Sequence, residues 1–368
     1  MGIRVSSFKL WANVLDCRKR FPINLCGPQI SHSMSLSSSA GTGLHRHNVK
    51  GKGDGLPSGG PLRHLVRFIF YVFLPALAGV AMWTLWRGWF SPVDLALFVG
   101  FYLMSGLGIT LGYHRFFTHQ SFRTTRWIAW LLGVMGSMAV QGPVIWWVST
   151  HRVHHQHSDD DEDPHSPHAG RPHGFGSTLR GFVHAHIGWA LEYQPRDRSP
   201  QVRDLLADPL CVHLDAWFPF WGVFGMVAPA VIGGCVTQSW WGALSGFLWG
   251  GVVRVFLVHH VTWSVNSICH LWGSRDFESR DQSRNNVVVG LLAVGEGWHN
   301  NHHAFPYSAR HGLQWWQFDL SWIVIRILSA LDLAMHVRTV PLERIEALRR
   351  RQHHPGTGAL ESEPLRAT

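Results

Sequence analysis

Charge is scarce in this chain. Only 15% of its 368 residues are Asp, Glu, Lys or Arg, and the acids are outnumbered 23 to 32. The resulting net charge of +9 comes without a basic helix or an aromatic RNA-binding motif, so a nucleic-acid partner is excluded and a membrane surface is the better reading. Cysteine is scarce too. Cys17, Cys26, Cys211, Cys235 and Cys269 are odd in number and form no CxxC pair. That pattern excludes a disulfide framework and a thiolate metal site, and it fits a reducing cytoplasm. Acid is almost absent from residues 1–62, which mix Ser, Gly and Lys/Arg without helical or strand periodicity. No secretory apolar segment precedes a small-residue cleavage site there. The segment is expected to be a disordered, dispensable N-terminal extension, with Met34 as an alternative start. Residues 343–368 are expected to form a polar C-terminal tail, helical and then frayed.

Tryptophan and histidine are abundant, 20 and 26 residues respectively, a membrane signal and a metal signal. Between the tails lie apolar stretches near 65–86, 93–112, 127–148, 217–236 and 241–261, each of roughly the 20 residues that cross a bilayer as a helix. The first two are joined by a short link at Arg87-Gly88-Trp89-Phe90, and the last two by one around Gln238. Each pair reads as a helical hairpin. The middle stretch is interrupted by Gln141-Gly142-Pro143 and reads differently, for a reason the histidines supply.

Those histidines form three clusters, His114-Arg-Phe-Phe-Thr-His119, His151-Arg-Val-His-His155 and His299-Asn-Asn-His-His303. In the second and third boxes the spacing is i, i+3, i+4, which puts all three imidazoles on one helical face. The first has i, i+5 spacing, about 140° apart on an ideal α-helix. One of its two histidines is therefore expected past the helix end, where the chain turns. A lone histidine in an apolar region is usually a core or surface residue, but eight in three spaced clusters point to ligation. Imidazole suits Fe, Cu, Zn and Ni. A zinc site closes with about four ligands, so this number implies two metal ions and suggests oxygen chemistry. Soluble di-iron bundles rely on carboxylates and Glu-x-x-His pairs. Here Glu296 to His299 is the only such spacing near a box.

The boxes, with Gly295-Glu296-Gly297-Trp298 leading into the third, resemble those of the membrane-bound acyl-lipid and acyl-CoA delta-9 desaturases. The resemblance covers roughly residues 65–340. It extends to Asp163-Pro164-His165, His186-Ile187-Gly188-Trp189, the stretch from Thr262-Trp263 through Asn266 to His270, and Phe305-Pro306-Tyr307. It implies that nine histidines bind two irons: His114, His119, His151, His154, His155, His270, His299, His302 and His303, with Asn266 reaching one iron through water. It also implies a bent acyl tunnel whose kink is lined by Gln141, Trp147, Thr262 and Trp263. One departure stands out. The acyl-CoA members carry an Arg-Asp pair before the second box, where this chain has Ser149-Thr150, which weakens the case for a CoA headgroup bound in the animal manner.

If residues 127–148 crossed the bilayer, the first and second boxes would lie about 30 Å apart on opposite faces. That stretch is therefore expected to be re-entrant or interfacial, with its break buried against protein. The expected fold is all-α and integral to the membrane: four spans in two hairpins plus that helix, with residues 63–342 as the desaturase domain. A cytoplasmic helical cap would carry the histidine-rich di-iron site. Arg115, Arg123, Arg126, Arg152 and Arg180 mark the site's side as cytoplasmic. The acidic run Asp159 to Asp163 reads first as a solvated loop, carboxylates that orient ligand imidazoles and a dock for a basic electron carrier being the other readings.

The expected activity is oxygen-dependent introduction of a cis double bond, at delta-9, into a saturated long-chain acyl group on CoA or lipid. Dioxygen is the co-substrate. His354-Pro355-Gly356 matches a b-type cytochrome haem motif, but 12 residues follow it, too few for that domain. Electrons are thus expected from a separate carrier, ferredoxin-like or a b-type cytochrome with its reductase. A hydroxylase or ketolase shares the three-box logic. A metal transporter or sensor is a remote alternative, since it wants ligands near the bilayer midplane.

Overall fold

A computed structural model describes residues 73–169, 174–192 and 199–353, all within one unit covering residues 53–368. The extension expected over 1–62, the start of the first apolar stretch and the end of the polar tail lie outside the described residues. Helix α1, Leu74–Trp86, ends at the Arg87-Gly88 link, where Gly88 takes a φ of 72°. Helix α2 starts sharply. Ser91 Oγ accepts from the backbone N–H of Asp94, Asp94 Oδ2 accepts from that of Ser91, and Pro92 opens the first turn; this reciprocal cap satisfies two otherwise orphaned donors. Helix α2, Pro92–Leu107, then widens without a break into a π-helical segment, Gly108–Thr118.

A short strand, β1 (Arg123–Thr124), leads into α3, Arg126–Ser137. The apolar stretch continuing through residue 148 is not one helix. It breaks over residues 138–143, where Val140 and Gly142 have φ of 60° and 102°, and resumes as α4, Val144–His157. Pro143 stands at the α4 N-cap, a place where its missing N–H costs nothing. Helix α5, Phe175–Val183, runs through a π turn to Glu192, and α6, Pro209–Ala216, precedes the next long helix.

Helix α7, Phe218–Thr237, stops at Gln238 in the left-handed conformation, and Ser239 caps the start of α8, Trp240–Leu271. These two pack closely because glycine faces them. A side chain at Gly246 would strike the backbone of Pro229, and one at Gly233 the backbone of Gly242, the small-residue contact that lets helices approach in lipid. Among the described residues three helices are long and apolar enough to cross a membrane, Pro92–Thr118, Phe218–Thr237 and Trp240–Leu271.

The remaining elements form a cap: α9 (Val287–Leu292), α10 (His299–Ala304), α11 (Leu320–Ala330), β2 (Ala334–Met335) antiparallel to β1, and α12 (Leu342–His353). One core cluster ties the α2 extension, α3, α4, α6 and α8 through Tyr113, Val134, Val148, Leu214 and Val258. A second ties α2 and α3 to α11 through Leu111, Leu132 and Ile325. Each such side chain contributes about 1.5–3 kcal/mol on burial. Together they fix α2, α4 and α8 to one another and join α2 and α3 to the cap through α11.

Candidate metal centre

Each box sits where a helix end points into the space beneath the cap. In the first, the π winding of the α2 extension resolves the spacing: the His119 N–H donates to the carbonyl of His114 at 3.1 Å, an i+5 to i bond. A π turn brings i and i+5 round to the same side. The two rings meet with Nε2 atoms 3.1 Å apart. The expectation of a histidine just past the helix end holds, since the π-helix ends at Thr118 and His119 stands at its C-cap, in the turn; the π winding is what brings the two rings together. Helix α4 carries His151, His154 and His155, the end of α8 carries His270, and α10 carries His299, His302 and His303.

The nine rings divide into two groups. His114, His119, His151, His155 and His302 form one, and His154, His270, His299 and His303 the other; within each, all donor nitrogens lie within 4.8 Å of one another. In the first group Nε2 of His302 is 3.1 Å from that of His114 and 3.0 Å from that of His155. In the second, Nε2 of His270 is 3.1 Å from that of His299, and Nε2 of His154 is 3.3 Å from that of His303. Imidazole nitrogens bound at about 2.0–2.1 Å and at right angles would be about 3 Å apart, so the donor sets fit two metal ions. Burial, followed by mutual repulsion, holds His119, His151, His155, His299 and His302 well below the usual imidazole range. His303 is pushed down to about 4 by burial despite its carboxylate neighbour. Neutral rings keep the lone pairs that ligation needs.

Four carboxylates set the rings' orientation. Nδ1 of His114 lies 2.5 Å from Glu296 Oε2, that of His154 2.9 Å from Asp163 Oδ2, that of His270 2.9 Å from Asp159 Oδ2, and that of His303 2.6 Å from Asp281 Oδ2. An Nδ1–H donated to a carboxylate leaves Nε2 as the donor atom facing the metal. Burial by itself would raise these acids. The adjacent imidazoles, hydroxyls and backbone N–H groups overcome it and hold Asp159, Asp163, Asp281 and Glu296 below the usual carboxylate range. The solvated-loop reading of residues 159–163 is therefore corrected. Its two ends turn inward to the rings, while Asp160, Asp161 and Glu162 are exposed.

Arg115 is corrected as well. It is fully buried, paired at 3.0 Å with both Glu296 and Asp319, and donates to the carbonyl of Ala309 at 2.8 Å. It braces the first group and is not a surface charge. The asparagines of the third box serve the scaffold. Asn300 exchanges two hydrogen bonds with the backbone of Phe277, at 2.8 and 2.9 Å, and Asn301 joins Asn285, Gln317 and the carbonyl of His311. Gly295 takes a φ of 119°, and a side chain there would strike Asp319; one at Gly297 would strike the backbone of Gly290. Only glycines let Glu296 reach both His114 and Arg115.

Beside the rings lies a mostly apolar cavity whose wall includes His114, His151, His299, Trp147, Thr262 and Asn266. Gln141 is not part of that wall but donates to Thr262 Oγ1 at 2.9 Å. Trp263 is elsewhere, buried with ring centroids 5.1 Å from His259 and 5.4 Å from His260. Ser149 and Thr150 are buried, Thr150 bonding the carbonyl of Trp146. Spacing gave no sign of Asp281, which lies in an irregular loop, or of His311, whose ring centroid is 4.4 Å from that of His302. Glu296 was visible through its distance from His299, yet its partner is His114, in a box far away in sequence.

A family model described as fatty acid desaturase matches residues 87–339. A hex-5-enoyl-[acyl-carrier protein] acetylenase of Moorena producens is 39% identical over 76% of this chain and 88% of its own length. An sn-1 stearoyl-lipid 9-desaturase of Anabaena variabilis is 41% identical over 67% of this chain and 84% of its own. A delta-9 acyl-lipid desaturase of Arabidopsis thaliana is 38% identical over 64% of this chain and 72% of its own. The extent of the family match, spanning every histidine of both groups, makes the chain a member of the fatty acid desaturase family, a membrane oxidoreductase.

Proposed function

We propose that the protein introduces a cis double bond, at delta-9, into a saturated long-chain acyl group carried on a membrane lipid or on CoA. The observation that carries this reading is the meeting of two imidazole groups with one wall of an apolar cavity. The nine histidines are the proposed ligands of two irons, with Asn266, on the same wall as His299, acting through water. Two irons with dioxygen and electrons would supply the oxidant that an unactivated methylene demands. The chain's own residues do the rest. Apolar walls exclude water, Trp147 and Thr262 hold the acyl chain in one bend, and Gln141 fixes the Thr262 hydroxyl from behind. The four carboxylates keep a proton on Nδ1 of His114, His154, His270 and His303, so that Nε2 stays free to bind. Orientation of this kind is the protein's main contribution to such a reaction. Ser149 and Thr150, which are uncharged, supply no ionic pair before the second box to hold a CoA headgroup, which favours a lipid-linked chain.

The topology we infer has four spans, the stretch from residue 65 through α1 together with α2, α7 and α8. The α3–α4 segment does not cross, the metal centre faces the cytoplasm, and a separate carrier delivers electrons. The exposed Arg123 and Arg180 support that orientation. Expression in an unsaturated-fatty-acid auxotroph, followed by analysis of its lipids, tests the activity. Growth with a cis-9 monoene is expected, while a hydroxy or keto acid or an alkyne as sole product would overturn the reading. Tags near residues 87 and 238 that label from the cytoplasm would overturn the topology.

A further inference from the structure

The break between α3 and α4 leaves helical geometry beside the long helices. Val140 is a β-branched residue at a φ of 60°, a region such side chains avoid. Irregular backbone at membrane depth persists where protein satisfies its polar groups. Here α8 does so. Arg254, fully buried, donates from Nη1 to the carbonyl of Met138 at 2.5 Å, from Nη2 to that of Gly225 in α7 at 2.5 Å, and from Nε to that of Gly250 at 3.0 Å. A buried cation held by carbonyl dipoles alone is expensive to keep, so its retention calls for a purpose. Five residues on, Nε2 of His259 lies 3.1 Å from the carbonyl of Val140 and Nδ1 2.8 Å from that of Val255. In the opposite direction, Gln141 Nε2 donates to the carbonyl of Val258 at 3.3 Å and to Thr262 Oγ1 at 2.9 Å.

These contacts form a ladder. Residues 138, 140 and 141 of the break are held in order by residues 254, 259 and 262 of α8, over a rise of about 12 Å. Its last rung, Thr262, lines the cavity together with Trp147. Trp147 stands four residues after Pro143, in the first turns of α4, the helix that also carries His151, His154 and His155. The position of the break therefore sets the offset between the cavity bend and the metal ligands.

We propose that Arg254 and His259 are positioning residues that determine which methylene pair of the acyl chain is oxidised. Neither belongs to an imidazole group of the candidate metal centre, and neither side chain lines the cavity. They act by holding the α3–α4 break, and through it Trp147, at one height relative to Thr262 and the histidines. The inference rests on the reading of Trp147 and Thr262 as the bend of the acyl site. A displacement on the order of 1 Å at such a bend is enough to redirect the oxidation between neighbouring carbons.

The test uses the full chain expressed in membranes of a host fed deuterated stearic acid. Double-bond positions are read by mass spectrometry of the derivatised products, and iron is measured on the purified variants. His259→Leu, which removes the imidazole that reaches the Val140 carbonyl, should keep its iron while off-position isomers rise on the order of tenfold. His259→Gln, which keeps a donor, should restore most of the original position. Arg254→Lys, unable to reach three carbonyls at once, should scatter the position further; if it does not accumulate, the two His259 variants decide alone. Trp147→Phe and Thr262→Val separate the two readings. If these leave the double bond in place, the bend itself is misassigned. If they move it while His259→Leu and Arg254→Lys do not, the ladder has no positioning role. A His259→Leu protein that loses abundance, iron and rate together, yet makes only the original isomer, would reduce the contact to mechanical support and overturn the inference.

Discussion

Glu296 and His114 are joined by a contact of 2.5 Å between Oε2 and Nδ1, and the other oxygen of the same carboxylate lies 3.0 Å from the guanidinium of Arg115. One acid thus orients the His114 ring and neutralises the residue that follows it. Glu296→Gln should lower metal affinity about 10–100-fold, the usual cost of losing a carboxylate behind a ligand imidazole. Competition with a chelator measures it, and an unchanged midpoint would contradict the role.

Arg115 is buried between two acids, and removing one member of a buried ion-paired set costs about 3–5 kcal/mol because the others are left unpaired. Arg115→Ala should accordingly accumulate poorly and inactivate at a lower temperature in detergent. Arg115→Lys should recover little, since an ammonium cannot span Glu296, Asp319 and the Ala309 carbonyl together. Thermal inactivation profiles of the two variants check this.

His270 closes the group of four imidazoles. His270→Ala should leave about half of the iron and no turnover, because three rings hold a labile ion. Metal analysis of the purified variant decides it, and full iron with a normal rate would remove His270 from the ligand set.

Asn300 pairs both polar groups of the Phe277 backbone. Asn300→Ala leaves a buried N–H and C=O unsatisfied, at a cost of about 1–3 kcal/mol each. Asn300→Asp keeps the acceptor but sets a buried oxygen against the Phe277 carbonyl, so it should be the least stable of the three. Unfolding temperatures of the three proteins should follow that order.

Acid should destabilise the metal-free protein earlier than its carboxylates alone require. Imidazoles in the unfolded chain take up protons from about pH 6.5, whereas His303 in the fold resists until about 4 because it is buried. Between those values the unfolded state binds more protons, so stability falls as pH is lowered through the window. The depressed carboxylates add their loss only below the ordinary carboxylate range of about 4. Melting temperatures of apoprotein from pH 7.5 to 5 test this, and a flat profile would contradict it.

Much of the architecture was legible because it depends on local periodicity. Apolar runs announced α2, α7 and α8, and the i, i+3, i+4 spacing in His151 to His155 and His299 to His303 placed three rings on one helical face. The i, i+5 spacing of His114 and His119 was visible and His119 does stand past the helix end, but the π winding that brings the two rings together was not legible, since an ideal α-helix was assumed. Charge was the least legible property. Arg115 looked like a surface cation and Asp159 and Asp163 like a solvated run, because a one-dimensional reading cannot tell which side of a turn faces water.

The sequence by itself determined that eight histidines fall in three spaced clusters and which segments were apolar enough for a membrane, because composition and short-range spacing act within a turn or two of helix. The tertiary structure alone decided how the histidines divide into groups of five and four. It alone decided that Glu296, Asp159, Asp163 and Asp281 stand behind four of them, and that Arg254 and His259 hold the α3–α4 break. Those partners are brought together by the packing of α2, α4, α8 and α10, and the dense interior that fixes their distances exists only when the whole chain is folded.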